Sequence, residues 1–572
     1  MRTVTLSVRI PATGRPLPFP AAVAAGLRRP IGRSGALLLL AGLPCLAAAW
    51  AILVPMRVFA NAMACDLMFN LAGAWHVWHG DRPHVDFHDP LGSLNFFLTA
   101  LGFALAGLGP RAFLVGTVVV ALGLFALAFH AALRRLPLVP AALFVAVACL
   151  LALMPANIGD RPDQFTLAMS YNRYGWAAYS VLGLVLFVPP RRDALGGEAL
   201  EIAGCAVLLF ALFFLKITYF AAGLGTLVVA TVLQPHVRRN ALRWGLVAAA
   251  LALWAVLPVN WPYLADIAGA ARAGAIRTSL LLHVGNLAAA GGEYAPYIGL
   301  VLIGAGLWAT GRAPLRLPLS LAFVLATSIG LLTQNSQSSG MPALIVMVMM
   351  LYDHLRARFH DAPGHDLVPV LAALLVLPAL TVTSSGFSIA MYHLKATRPG
   401  AVFETPAANL QGLAVPAGVP GAFASFPRNG YDLPLPNGEG VPVPRYDLSQ
   451  QEYLATLLSA ATLLAPRQPG GIALFDQVNP LPYMLGWRPA PGANLWSLWS
   501  LPLRPAETYL GPVRYVLVPR FPTERNWTAA LVAHYADYLA AHFDWREEGA
   551  DWTLFERRAR APDAYSAGGT NM

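Results

Sequence analysis

Apolar residues in this chain run in long stretches joined by short polar links. Segments near 35–56, 111–133, 137–155, 174–190, 199–216, 218–234, 242–259, 293–311, 316–333, 341–354 and 367–386 carry almost no charge. A helix needs about 20 apolar residues to cross a bilayer, so the pattern predicts eleven spans. One further run, residues 91–109, is short enough to lie in the interface or to cross. Beyond residue 390 the pattern changes: charged and apolar positions intermix and prolines become frequent. Strands are predicted at 472–475, 515–518 and 552–555, with a helix at 528–543. The expectation is an α-helical polytopic membrane protein with interfacial helices in its first outer loop and a small C-terminal α/β domain outside the membrane. The divisions are 1–34, an Arg-rich cytoplasmic N-terminus; 35–389, the transmembrane part, with its first outer loop at 57–110; and 390–572, the extracytoplasmic domain.

Composition agrees. Charged residues make up 12% of the 572, about half the ~25% of a soluble domain. This excludes disorder and an ordinary soluble enzyme. An outer-membrane barrel would alternate rather than form long apolar runs. The net charge of +10 sits in the membrane part, and no basic stripe with stacking residues suggests nucleic acid. Cys45, Cys149 and Cys205 fall in apolar runs and Cys65 at a membrane edge. No CxxC occurs, so no disulfide framework is implied.

Basic residues set the sidedness. Arg2, Arg9, Arg15, Arg28, Arg29 and Arg33 precede the first apolar run. That run exceeds the ~7–15 residues of a signal-peptide core, so it reads as a retained span, despite a cleavage-like Ala60-Asn61-Ala62. Eleven spans place 17 basic residues of the membrane part inside and 8 outside; twelve spans give 12 and 13. The positive-inside rule therefore favours eleven, with 91–109 on the outer face. The localisation expected is a cell membrane, the inner membrane if the source is Gram-negative, with the C-terminal domain extracytoplasmic.

The outer loops gather the polar chemistry. Residues 66–78 have helical period, with Leu67, Leu71, Ala74, Trp75 and Trp78 on one face and Asp66, Asn70 and Gly73 on the other. Such a helix lies in the interface, with Asp66 either a solvated cap or a functional carboxylate. The next stretch holds Asp81, Arg82, His84, Asp86, His88 and Asp89. His84 and His88, and His76 with His79, are weak candidates for a divalent metal. The second outer loop carries Asn157, Asp160, Arg161, Asp163, Tyr171, Asn172 and Arg173. Lys216, one of two lysines in the chain, falls between two apolar runs. A cation at membrane depth costs ~2.5–3.5 kcal/mol, so Lys216 either snorkels to the interface or meets an anion such as a phosphate. The loop at 260–292 carries Asp266, Arg272, Arg277 and His283. Asp476-Gln477-Val478-Asn479-Pro480 follows a strand, where a turn or a ligand loop can sit.

These residues carry a family likeness. Asp66 opening the first outer loop, Gly80-Asp81-Arg82-Pro83, Asp86-Phe87, and Asp89-Pro90-Leu91-Gly92 leading into an interfacial helix resemble the GT-C superfamily of membrane glycosyltransferases. Within it, the chain is similar to the mannosyltransferase and aminoarabinose transferase types. Lys216-Ile217-Thr218, the Asp476–Pro480 turn and Trp552-Thr553-Leu554-Phe555-Glu556-Arg557 add to it. The chain departs from the pattern in its lone Asp66, preceded by Cys65, and in Asp-Pro-Leu where Pro-Pro-Leu is common. The resemblance implies an inverting hexosyl- or pentosyltransferase. It would move a sugar from a polyprenyl-phosphate donor to a glycan, lipid or protein acceptor, with Asp66 as general base. Asp86, Asp89, Asp160 and Asp163 are alternative acids. Charge logic places Arg82, Arg161, Arg173 and Lys216 at the donor phosphate. The resemblance fixes no cofactor, and a divalent metal ion is compatible with it. The alternative from another class is a transporter or flippase of lipid-linked intermediates, which would place ionisable groups at mid-membrane and show internal repeats.

Overall fold

A computed structural model describes residues 32–191, 197–274, 288, 291–333, 340–359, 368–398, 402–404, 407–416, 431–434, 440–443, 448–496, 501–523 and 525–558. Residues 1–31 of the Arg-rich N-terminus, Arg277 and His283 lie outside the described residues.

Each of the eleven apolar segments is helical. The helices are α1 (Arg33–Leu53), α4 (Arg111–Arg135), α5 (Leu138–Leu153), α6 (Ser170–Phe187), α7 (Glu198–Leu215), α8 (Ile217–Leu233), α9 (Ala241–Ala255), α11 (Gly291–Ala309), α12 (Arg316–Thr333), α13 (Ile345–Phe359) and α14 (Val368–Thr397). Five of them (α1, α4, α7, α12 and α14) are long and apolar enough to cross a membrane on their own. A sixth candidate is α9 taken with the helix after it, α10 (Trp261–Gly274), which bends away by 59°. All eleven segments expected to span are thus helices, and among the described residues five or six pass as spans by length and composition. Segments such as α5, with 16 residues, are shorter than the ~20 residues that cover a bilayer upright.

Two more helices occupy the first loop: α2 (Ala64–Trp78) and α3 (Leu94–Ala106). Residues 91–109 thus form a short helix, packed between α2 and α4. At 25 residues, α4 is about 37 Å long. Its first residue, Arg111, donates to the Leu53 carbonyl at the end that carries α2. Arg134 and Arg135 mark the far end. There Glu201 accepts from Arg134 Nε at 2.8 Å and from both Arg135 terminal nitrogens, so both buried guanidinium groups share one carboxylate.

The C-terminal part is a small α/β unit. Strands β6 (Gly471–Leu474), β7 (Val513–Pro519), β8 (Phe543–Glu548) and β9 (Trp552–Arg557) form one sheet in the order β6-β7-β9-β8. β6 and β7 are parallel, with Ile472 opposite Tyr515, and the other pairs are antiparallel, with Val516 opposite Phe555. Helices α15 (Gln450–Leu464) and α16 (Arg525–His542) accompany it. The helix expected at 528–543 starts earlier and ends at His542, because Phe543 is the first residue of β8. Strands β4 (Tyr431–Pro434) and β5 (Gly440–Val443) make a separate hairpin.

A second, three-stranded sheet joins the two halves of the chain. β1 (Val58–Phe59), at the start of the first loop, runs parallel to β3 (Leu413–Pro416), which pairs antiparallel with β2 (Val402–Glu404). The C-terminal unit also caps α2 directly. A reciprocal box between Ser449 and Glu452 starts α15, and the next residue, Gln450, accepts the Ala64 amide at 2.7 Å. One of the donors that a helix N-terminus leaves unmet is thereby satisfied from nearly 400 residues away.

Candidate active site

Helix α2 lies buried on both faces. From Ala64 to His76 every residue is covered, including Asp66, Asn70 and Gly73 on the side expected to meet water. Asn95 of α3 donates to Asn70, Ser170 of α6 donates to Asn95 at 3.0 Å, and Trp75 Nε1 donates to the Trp487 carbonyl at 2.8 Å. A Cβ on Gly73 would stand 2.4 Å from the Phe96 ring and 2.8 Å from Leu495. The polar face is dry because α3, α6 and the C-terminal unit close over it.

Asp66 is therefore a buried carboxyl, 3% exposed, in the first turn of α2. Burial pushes it up to about 7, against a small opposing effect of the Cys65 thiol, whose sulfur lies 3.7 Å from Oδ1. The helix-cap reading does not describe it: the N-cap residue is Met63, three positions before Asp66, and its side chain makes no cap hydrogen bond. Met63 has φ 49°, in the left-handed region. Among the described residues four non-glycine residues take such angles: Met63, His84, Leu167 and Met169. They sit just before Asp66, within the His84–Asp89 turn, and just before Tyr171. Such strain costs of order 1–3 kcal/mol per residue and concentrates at functional sites.

Tyr171, at the start of α6, links the other groups. Its hydroxyl lies within electrostatic reach of both Asp66 and Asp89, and Lys216 Nζ stands 5.5 Å from its ring centroid. Lys216 occupies the break between α7 and α8, where φ −165° and ψ 123° end one helix before the next begins. Burial pulls its ammonium down to about 7. The turn carrying Asp89 reaches this break through Gly92, whose amide donates to the Leu215 carbonyl at 3.3 Å. Any side chain at Gly92 would collide with the Phe214 carbonyl, with Cβ 1.9 Å from its oxygen. Asp89 is fully buried. Its Oδ1 accepts the Leu91 amide at 2.5 Å, while Oδ2 has no partner among the described residues. Burial pushes Asp89 up to about 7, with the charge of Asp266 adding and the Leu91 amide opposing.

The remaining sequence candidates lie elsewhere. Arg82 is exposed and paired with Asp86 at 3.2 Å; its hydrogen bonds hold the Asp86 carboxyl below the usual range. Asp86 also lines a cleft of about 520 Å³ with Asp81 and Arg488. Arg161 pairs with Asp163 at 3.2 Å on the surface. Arg173 is buried but donates to the Ala156 and Ala168 carbonyls, at 3.0 and 2.8 Å. Asp160 is raised by burial, opposed by the charge of Arg173. The structure gathers Asp66, Asp89 and Lys216 around Tyr171, and leaves Arg82, Arg161 and Asp163 outside.

The histidines turn toward Asp266 on α10. His84 Nδ1 stands 3.0 Å and His88 Nδ1 3.1 Å from its carboxylate, and Arg504 of the C-terminal unit donates to Oδ1 at 2.8 Å. Burial alone would raise the Asp266 carboxyl; hydrogen bonds from His84, His88 and Arg504 outweigh it and hold it well below the usual range. His76 is likewise engaged, with Asp81 at 2.8 Å, and His79 with the Trp75 carbonyl. Among the described residues no three His, Cys, Asp or Glu side chains are arranged to hold a metal ion. Sequence spacing could not have found Asp266, which lies 178 residues from His88. Asp266→Asn is expected to cost about 3 kcal/mol, the scale for breaking a buried ion pair. Because its folded-state value is depressed, that contribution is present above about pH 4 and lost below it. Melting curves of both proteins should differ at pH 7 and converge in acid.

No family model matches the sequence, and no curated protein does. Two solved structures are similar in shape. ArnT from Cupriavidus metallidurans, crystallised bound to undecaprenyl phosphate, matches over 92% of this chain and 99% of its own, with 13% identity and a TM-score of 0.43. The Archaeoglobus fulgidus oligosaccharyltransferase, crystallised with Zn and sulfate, matches over 83% of this chain and 67% of its own, with 12% identity and a TM-score of 0.36.

Proposed function

We propose that this protein is a GT-C-type membrane glycosyltransferase that moves a sugar from a polyprenyl-phosphate donor to a hydroxyl-bearing acceptor at the cell envelope. The observation that carries this reading is the buried set around Tyr171: a carboxyl poised near neutrality, Asp66, within electrostatic reach of the Tyr171 hydroxyl, and an ammonium, Lys216, 5.5 Å from its ring centroid. Glycosyl transfer with inversion needs these two functions. Asp66 takes the proton of the acceptor hydroxyl as its oxygen attacks the sugar C1. The bond from C1 to the phosphate oxygen breaks, its electron pair leaves with the phosphate, and Lys216 meets the growing negative charge. Asp89 is the alternative base, since it too is buried and raised to about 7. The donor would reach the site laterally from the bilayer, which suits a protein with at least five membrane-length apolar helices. Active-face sidedness follows the basic-residue split, with the C-terminal unit extracytoplasmic.

A transporter of lipid-linked intermediates would not consume its cargo. Purified protein in liposomes, given a panel of labelled decaprenyl-phosphate sugars and a cell-envelope extract, is expected to move label from lipid to acceptor. Label that crosses the bilayer still attached to its lipid would establish the transporter instead.

A further inference from the structure

The turn after β6 presents polar atoms that the reaction above does not use. Gln477 is 1% exposed, and neither amide atom, Oε1 or Nε2, has a hydrogen-bond partner among the described residues. Val478 forms an antiparallel bridge with Trp496, whose indole Nε1 is also buried without a partner. A buried amide left unmet costs ~1–3 kcal/mol, and native proteins keep very few such groups.

The turn is built rather than loose. Asp476 accepts the backbone N–H of Gln477 at 2.8 Å, the backbone N–H of Thr523 at 2.9 Å and the Thr523 hydroxyl at 2.5 Å. It borders α2: Asn479 lines a small cavity with Ala72, Trp75 and His76, and the charge of Asp476 reaches the Cys65 thiol. The Trp496 ring meets Phe69 edge-on at 4.8 Å, one helical turn after Asp66 and on the same side of α2.

We infer that Gln477 and Trp496 form a sugar-reading subsite that the C-terminal unit contributes beside Asp66, with the Gln477 amide and the Trp496 N–H hydrogen-bonding ring hydroxyls. The chemistry favours a neutral polyol. An amide offers donors and an acceptor together, an indole adds one donor and an apolar face, and neither carries charge. The inference rests on the glycosyltransferase reading, and either the transferred sugar or a sugar acceptor could supply the hydroxyls.

Binding separates the possibilities. Full-length protein in nanodiscs is titrated with bare decaprenyl phosphate and with decaprenyl-phosphate-linked glucose, mannose, galactose and arabinose. The expected wild-type result is tighter binding of one sugar-bearing lipid than of the bare phosphate. Gln477→Leu, and more weakly Trp496→Phe, should cut that preference by roughly tenfold or more, the scale of a lost buried hydrogen bond, while bare decaprenyl phosphate binds as before. A subsite for the acceptor would instead leave the lipid series unchanged and raise KM for p-nitrophenyl glycoside acceptors, with kcat held. Variants that keep both the lipid preference and the acceptor KM, or that lose all ligands equally, overturn the subsite; so does a Gln477→Leu protein that only melts higher, as displacement of a buried water would give. Wild-type protein that binds bare decaprenyl phosphate but discriminates no sugar and accepts no glycoside overturns the subsite alone. Wild-type protein that binds no lipid of the series overturns the transferase reading beneath it.

Discussion

Asp66→Asn should lower sugar transfer by ~10²–10⁴, the usual worth of a general base, while the protein still folds and still binds decaprenyl phosphate. Asparagine keeps the size of the side chain and removes the basic oxygen. The wild-type pH profile should report the same group. With the carboxyl pushed up to about 7, kcat/KM rises with pH until Asp66 is ionised. Near-normal transfer by the folded variant would move the base to Asp89, which shares both the burial and the raised value. The substitution also has a stability sign. The folded state holds a proton on Asp66 between about pH 4 and pH 7 that the unfolded chain has released. Stability is therefore fully present below the unfolded value and lost as pH rises through the folded one. Three units correspond to about 4 kcal/mol. Asp66→Asn removes that penalty, so the inactive variant should melt higher than wild type at pH 8 and alike at pH 4. A gain in stability paired with a loss of activity is the mark of a group kept for chemistry.

Hydrophobic spacing made the helices legible, because a run of apolar residues announces a helix through local pattern alone. Lys216 drew attention in the sequence as an isolated charge between apolar stretches, where a charge is costly, and Asp66 through the family resemblance; the roles given to both rest on the proposed function. Pairing was not legible. Arg82, Arg161 and Arg173 read from sequence as cations near a phosphate, yet they meet Asp86, Asp163 and two backbone carbonyls, and nothing in a list of charges says which partner each will take. The pairing of His84 and His88 was hidden on the same ground, since Asp266 arrives from another helix. The polar face of α2 was read as wet because amphipathic period reports only that two faces differ. What covers the second face here is α3, α6 and a C-terminal unit whose Gln450 caps the helix, a contact between residues too distant in sequence for any local pattern to carry. Gln477 sat in what read as a plain turn; only burial turns an unremarkable amide into one that lacks a partner.

Lys216 gives the second large effect, on donor binding and on the alkaline side of the pH profile. Hydrogen bonds to charged groups contribute ~1.5–3 kcal/mol, so Lys216→Met should weaken decaprenyl phosphate binding by roughly ten- to a hundredfold. Methionine suits the apolar surroundings of the break between α7 and α8, so the fold should hold. A lysine already pulled down to about 7 by burial loses its charge over the range in which Asp66 gains one, which predicts a narrow, bell-shaped dependence of kcat/KM centred near pH 7. Lys216→Arg then separates charge from geometry. Arginine stays protonated throughout, so the alkaline limb of the bell should disappear. Peak activity should be only partly retained, because a planar guanidinium does not reproduce the compact ammonium beside Tyr171. A merely snorkelling lysine would make different marks: decaprenyl phosphate would bind Lys216→Met as tightly as wild type, and the alkaline limb would survive in Lys216→Arg. Either result would remove Lys216 from the phosphate and leave Asp66 without the cation that the proposed reaction requires.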